Sequence, residues 1–411
     1  MQPFLALGVA LLRAGHRVRV CAHGVFAHRF IEAGLEFAAV GPDFDETERV
    51  RIWNDLDAAG DDLLKQFRIL SDELFFRGAP ERFRDCLAAL DGFDVAVCHH
   101  GDLMGQEAAL RHGMPWAGVY LCPGFVETPR NPPLHSPDLG RWGNPILWKL
   151  GGLATRGIQS RAEKLLREIG TARPGLKVSQ ASSPFLNFLP VSPALAAVPP
   201  DLPANFAVTG YWFHQAREYV PPAEMTAFLE RQPAPVVISF GSMGGSNGEE
   251  TADVLVEAGR ISGQRLVIQK GFGNVHTLRG VTADQVYFAD FVPHEYLFPH
   301  ASCVVHHGGA GTTAAATRAG KPSIIIPHLA DQLYWAKCLG RSGAALPPRS
   351  RRKLTARGLA DLITRTLEHP TLRGRAEALG RDLRSEDGLG KAVAAIERLG
   401  SGGAQQSFGM H

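Results

Sequence analysis

The segment 291–336, FVPHEYLFPHASCVVHHGGAGTTAAATRAGKPSIIIPHLADQLYWA, holds the side chains best suited to chemistry. Its middle reads as an apolar strand over 301–305 that ends in His306-His307-Gly308-Gly309-Ala310-Gly311-Thr312-Thr313 and runs into an Ala-rich helix. Strand, glycine turn and helix amino terminus together make an anion site. Glycine lets the backbone approach the ligand, and the first-turn N–H groups lack intrahelical acceptors. Thr312 and Thr313 add hydroxyl donors, and an imidazole adds one more. Neighbours on an extended strand face opposite sides, so one of His306 and His307 reaches the ligand, and a diphosphate fits the arrangement. The alternative is a tight strand–helix packing corner without a ligand. A second cluster, His99, His100 and Asp102, lies at the end of an apolar strand expected over 94–99. That carboxyl edge is where parallel sheets bind ligands, and a histidine there could serve as general base near neutral pH. The plainer alternative makes both histidines loop residues and Asp102 a helix cap.

These groups need a scaffold, and the rest of the chain supplies the pattern for one. Short apolar runs over 17–22, 94–99, 116–122, 185–189 and 206–210 read as strands, with helices expected at 25–33, 80–90 and 103–112. The second half repeats the plan with strands at 236–240, 265–269, 286–289, 303–306 and 323–326, each leading into a loop and a helix. Strands apolar on both faces and separated by helices form parallel sheets covered on both sides. Two doubly wound α/β domains are therefore expected, over 1–215 and 216–399, with a disordered Gly/Ser/Gln-rich tail at 400–411. The Pro- and Gly-rich stretch 122–145 is too long for a simple connector and reads as a functional loop. An amphipathic helical insertion follows at 146–169. Its favoured placement is against its own domain, with a membrane-surface helix as the alternative.

Composition narrows the partners. The chain has 411 residues, 45% hydrophobic and 20% charged, with 43 basic and 41 acidic side chains. So balanced a surface argues against nucleic acid as a partner, because phosphate neutralisation needs a basic excess. Six cysteines are scattered without a CxxC pair, as in a reduced cytoplasmic protein without a structural zinc. Residues 4–12, FLALGVALL, have no basic stretch before them and read as a helix opened by Pro3 and closed by Gly15 rather than a signal peptide. No uncharged apolar run reaches about 18 residues, so no spanning helix is expected.

The second half resembles glycosyltransferase family 1, sugar-nucleotide-dependent enzymes that act on small lipophilic molecules. Four motifs carry the resemblance in order: Ser239-Phe240-Gly241-Ser242, Phe291-Val292-Pro293-His294, the turn His306–Thr312, and Asp331-Gln332. The HHGGAGTT form and the LADQ-x-x-WA ending look most like the bacterial and sterol-type glucosyltransferases of the family. The resemblance implies the GT-B fold: two facing Rossmann-like domains with the donor in the cleft between them. His306 would contact the pyrophosphate, with Gly309, Gly311 and Thr312 supplying the turn and its donors and Ser242 closing over the phosphates. Asp331 and Gln332 would hold the sugar hydroxyls, although Asp331 also fits a helix N-cap. Phe291 and the Val292 backbone would flank the uracil, beside His294. No metal and no cofactor beyond the UDP-sugar donor substrate are implied.

Two departures accompany the resemblance. Plant members carry a ribose-binding glutamate where this chain has Ala314, which opens the choice between uridine and thymidine nucleotides. Relatives also begin with a first strand and a Gly-rich loop that carry the catalytic base, whereas this sequence starts Met1-Gln2-Pro3 at the following helix. The expected base then lies before Met1, and His99, His100 and Asp102 are the candidates within the sequence. The expectation is an inverting, metal-independent transfer of a hexose, glucose first, from UDP-sugar to a hydroxyl of a sterol, terpenoid, macrolide or similar acceptor. A nucleotide-sugar epimerase and a non-catalytic nucleotide-sugar-binding protein are the competitors.

Overall fold

A computed structural model describes residues 1–60, 62–171, 182–214, 219–240, 248–269, 284–329 and 331–402, without the side chains of 248–250. The chain divides into two compact units. The first comprises Met1–Arg49, Leu64–His214 and Asp387–His411; the second comprises Val50–Leu63 and Gln215–Glu386.

In the first unit, helix α1 (Gln2–Arg13) is followed by strands β1 (Arg19–Ala22) and β2 (Glu36–Ala39), which pair in parallel. Helices α2 (Ala79–Ala89) and α3 (Leu103–Arg111) flank β3 (Ala96–His99), and β4 (Trp116–Val119) follows. After an irregular stretch come helices α4 (Gly140–Ala154) and α5 (Arg156–Glu168), then β5 (Leu186–Leu189) and β6 (Phe206–Val208). The parallel sheet β3-β4-β5-β6 is separate from the β1-β2 pair. No ladder joins β1 to β3 among the described residues. Pro3 in the first turn and Gly15 at positive φ bound α1 as expected, and its Ala6, Leu7 and Leu11 pack against Ala117, Val119 and Phe188 of β4 and β5. The opposite layer, with α2, α3 and α5, buries Phe83, Cys86, Leu103, Met104, Ala162 and Leu166.

The second unit holds one five-stranded parallel sheet in the order β11-β10-β7-β8-β9. Its strands are β7 (Val236–Ser239), β8 (Leu266–Gln269), β9 (Val286–Ala289), β10 (Val304–His306) and β11 (Ser323–Ile325). Helix α6 (Gly248–Ser262) follows β7, α7 (Ala310–Arg318) follows β10, and α8 (Gln332–Ser342) follows β11. Val236, Ile238, Leu266, Ile268, Val305 and Ile324 fill the core on one face, against Leu359 and Ile363 of α9 (Ala356–Glu368). Val237, Val267 and Val304 alternate to the other face, with Leu297 and Phe298. Both faces of each strand are apolar, which is why these runs read as buried parallel strands.

Several expectations need revision. The last helix, α10 (Gly388–Gly400), belongs to the first unit and not to the domain that precedes it in the chain. Ala392, Ala395, Ile396 and Leu399 pack with α1, β4 and Trp212. Gly388 lies so close to the carbonyls of Gly210 and Tyr211 that no Cβ fits there. Conversely, Val50–Leu63 groups with the second unit, where Asp57 pairs with Arg351. Strand β2 and the helix Glu46–Ala59 were not expected, the first because four residues after Gly34 are too short a run to show a period. The stretch 122–145 is tied down: Asn131 Nδ2 donates to the carbonyls of Pro123 (2.7 Å) and Val126 (2.6 Å), and Thr128 Oγ1 donates to Asp201 (2.7 Å). The insertion expected at 146–169 is two helices and starts earlier, with Pro145 inside α4. Ser242 and residues 403–411 lie outside the described residues.

Candidate functional site

His306 ends β10 in register with Ser239 of β7 and Ile325 of β11, so it stands at the carboxyl edge of a strand paired on both sides. Its side chain is 0% exposed. Nδ1 accepts a hydrogen bond from the Gly308 N–H at 3.1 Å, which places the imidazole proton on Nε2. That buried Nε2 has no hydrogen-bond partner among the described residues. Burial, followed by the neighbouring His307 and His294, lowers the pKa of His306 to about 3. The ring is a neutral donor with nothing to donate to, at a cost of roughly 1–3 kcal/mol for an unmade buried bond. An incoming acceptor atom would recover it.

The turn that follows is built around this ring. Gly308 has φ +89°, and a Cβ there would meet Ile325 Cγ2 at 2.8 Å and the Gln332 carbonyl oxygen at 3.0 Å. This position, not singled out from the sequence, needs glycine on both counts. Gly309 is the N-cap of α7, and its missing Cβ makes room for the His307 ring. Among the described residues nothing lies within 4 Å of the Cβ position of Gly311, so they leave the approach to the first turn of α7 open. The N-cap, being glycine, supplies no side-chain cap of its own. Thr312 is 8% exposed and Thr313 0% exposed, and the Thr313 hydroxyl has no hydrogen-bond partner among the described residues. Ala314 is buried in the same helix.

A polar chain links the neighbouring strand ends. His294 Nε2 lies 3.3 Å from Ser239 Oγ, Ser239 Oγ donates to Gln269 Oε1 at 2.6 Å, and Gln269 Nε2 donates to the Val292 carbonyl at 2.8 Å. His294 also stacks on Phe298 at 4.3 Å, and burial lowers its pKa to about 4. The chain sets the segment 291–294 against the ends of β7 and β8, leaving the Phe291 ring 62% exposed above it. Gln269 was missed by sequence reasoning. Its signal was a lone amide closing an apolar strand.

Asp331 stands at the N-cap position of α8, but its side chain makes no cap bond; Oδ2 accepts from Trp335 Nε1 at 3.2 Å. Burial raises its pKa, opposed by that indole bond. Gln332 is 4% exposed, and its Oε1 accepts from the N–H groups of His328 (2.6 Å) and Leu329 (2.9 Å). The amide oxygen thus shapes the loop after β11. The two members of the pair are placed differently from one another.

In the first unit, His99 ends β3 and His100 follows it, with ring centroids 4.3 Å apart. His99 Nδ1 accepts from the Gly101 N–H at 3.1 Å, and its ring stacks on Phe75 at 5.7 Å. Burial pushes its pKa well below the usual histidine value. His100 packs between Tyr120 (5.0 Å) and Phe125 (4.9 Å), its Nδ1 is buried without a hydrogen-bond partner, and burial lowers its pKa to about 4. Asp102 caps α3, accepting from the Gly105 N–H at 3.3 Å, and pairs with the buried Arg82 at 3.2 Å. Arg82 also approaches His23, and neither residue was singled out from the sequence. The cap alternative for Asp102 accordingly describes its bonds.

Comparison with known proteins adds three findings. Residues 253–397 match the family described as "Erythromycin biosynthesis protein CIII-like, C-terminal domain". The chain is 29% identical over 96% of its length to a sterol 3-beta-glucosyltransferase of Arabidopsis thaliana, and 26% identical over 96% to one of Candida albicans. It spans 63% and 27% of those two relatives. Among solved structures, it is similar in fold to the glycotransferase of kitacinnamycin (TM-score 0.70, 20% identity, 97% of this chain and 95% of that one). It is likewise similar to the glycosyltransferase VinC in complex with dTDP (TM-score 0.65, 20% identity, 97% and 96%).

Proposed function

We propose, because the chain belongs to the UDP-glycosyltransferase superfamily of GT-B fold, that it moves a hexose, glucose first, from a uridine diphosphate sugar to a hydroxyl of a lipophilic small molecule. The observation that carries this reading is the His306 Nε2–H, without a partner among the described residues, beside the glycine-capped first turn of α7. Both present donors where a diphosphate would develop negative charge as it leaves. The acceptor oxygen would attack the anomeric carbon in line, the bond to the diphosphate would break with its electrons passing to UDP, and the configuration would invert. His306 and the helix N–H groups would stabilise the leaving group without a metal.

Asp331 is the residue we assign to the sugar hydroxyls, and the exposed Phe291 ring to the base. The hydroxyl proton needs a base. In the first unit, Asp102 is committed to Arg82 and the cap, and the Nδ1 lone pair of His99 to Gly101. His100 keeps an unengaged Nδ1, neutral at neutral pH, and we assign it that role. The lipophilic acceptor is argued from the similarity to sterol 3-beta-glucosyltransferases.

Calorimetric titration with UDP and with thymidine diphosphate tests the donor site. The intact chain should bind one of them, and His306→Ala should weaken binding by roughly tenfold or more, the worth of a hydrogen bond to a charged group. Unchanged affinity in His306→Ala would refute the site. In turnover assays with chelator present, His100→Ala should lower kcat by about 100-fold with donor affinity unchanged. An equal loss of donor binding would remove His100 from that role.

A further inference from the structure

Helix α4 carries an apolar stripe that its own unit does not cover. Its inner side is held: Asn144 is buried, with Nδ2 donating to Asp138 at 2.9 Å, and Trp148 Nε1 donates to the Asn131 carbonyl at 2.7 Å. The outer side presents Trp142 (78% exposed), Ile146 (58%), Leu150 (55%) and Leu153 (64%), with Leu139 (55%) at the N-cap. These positions are three or four apart and form one continuous line. The following helix α5 behaves as expected for a packed insertion, burying Ala162 and Leu166, so the amphipathic pair splits into one partnered helix and one that faces outward.

The charges on α4 itself have one sign, and the carboxylate just before it, Asp138, accepts from Asn144 Nδ2 and the Gly140 N–H. From Leu139 to Ala162 the sequence contains Arg141, Lys149, Arg156 and Arg161 and no carboxylate. Arg161 pairs with Asp72, but no ion pair among the described residues engages Arg141, Lys149 or Arg156. Arg141 lies over the Trp142 ring at 4.4 Å, and Lys149 borders the stripe next to Leu150. A second copy is a poor occupant, because a two-fold contact through this face would oppose the cations of α4 to themselves, with Asp138 at its end already bonded to Asn144 and Gly140. Nor can the helix cross a bilayer. Its 15 residues span about 22 Å, short of the ~30 Å hydrocarbon core, and no described helix is long and apolar enough. An apolar line with a tryptophan on one side of a helix, fringed by unpaired cations, matches a surface of anionic lipid headgroups.

We propose that α4 is a membrane-docking element that lies in the headgroup layer of an anionic bilayer, with Trp142, Ile146, Leu150 and Leu153 inserted and Arg141, Lys149 and Arg156 on the phosphates. This surface stands independently of the reaction assigned above.

Co-sedimentation of the full chain with vesicles tests it, using phosphatidylcholine alone and phosphatidylcholine with about one third phosphatidylglycerol. The intact chain should sediment with the anionic vesicles more strongly than with the neutral ones, and less so as salt rises. Trp142→Ser/Ile146→Ser/Leu150→Ser should weaken the anionic binding by ~tenfold or more, with an unchanged melting temperature because all three side chains are exposed. Arg141→Gln/Lys149→Gln should remove the preference for anionic lipid, which covers the case of a triple variant that fails to fold. No binding by the intact chain, equal binding by both variants, or a dimer that the triple variant dissociates would each overturn the proposal.

Discussion

Gly308 and Gly311 sit three residues apart in one turn and carry opposite constraints. At Gly308 the left-handed backbone and the contacts with Ile325 and the Gln332 carbonyl leave no room for a methyl group. Gly308→Ala should cost at least about 2 kcal/mol in chemical denaturation, combining φ strain with a clash against backbone. At Gly311 nothing among the described residues lies within 4 Å, so Gly311→Ala should leave stability within about 0.5 kcal/mol or raise it, while hindering any phosphate that rests on the first turn. Donor affinity that falls in Gly311→Ala at unchanged stability would mark that turn as ligand-facing. Unchanged affinity would place the phosphate elsewhere. The motif was visible as a string of glycines, but its letters do not separate the two roles. That separation needs the Ile325 and Gln332 neighbours, which come from 15 and more residues further along the chain.

At the scale of elements, the strand ends of the second unit gather four histidines out of water. His306 and His328 are lowered to about 3, and His294 and His307 to about 4, in each case chiefly by burial. All four are neutral in the folded chain, whereas the unfolded chain takes up protons near the ordinary histidine value of 6.5. The unfolded state therefore binds more protons between about pH 4 and 6.5, so stability rises with pH across that window and is complete above it. Urea unfolding should show a midpoint that falls as pH drops from 7 to 5. The slope should be shallower in His294→Gln, by up to about 1.4 kcal/mol per pH unit. A midpoint independent of pH over that range would contradict the buried, neutral state of these rings. The strands themselves were legible because both faces are apolar, as in 236–240 and 303–306. Burial of the histidines at their ends was not, since His306 and His307 look alike in sequence yet differ in partners.

For the whole molecule, the path of the chain matters more than its order. Helix α10 comes last in sequence but completes the first unit, covering α1 and β4. Removing the residues after Glu386 should destabilise that unit by ~5 kcal/mol or more, since Ile396, Leu399 and their partners lose a full apolar layer. Hydrogen exchange should then lose protection in β4 and β5 while β7 and β10 keep theirs. Loss confined to the second unit would contradict the division. Alternating apolar runs and helices were enough to establish two α/β units, and local chemistry was enough to pick out the turn at 306–312, because periodicity and glycine turns act over a few residues. Neither could assign α10 or Val50–Leu63 to a unit, commit Asp102 to Arg82, or leave the stripe of α4 uncovered. Those outcomes depend on which surfaces meet after the chain has returned on itself, and contacts between distant residues leave no period in the sequence to read.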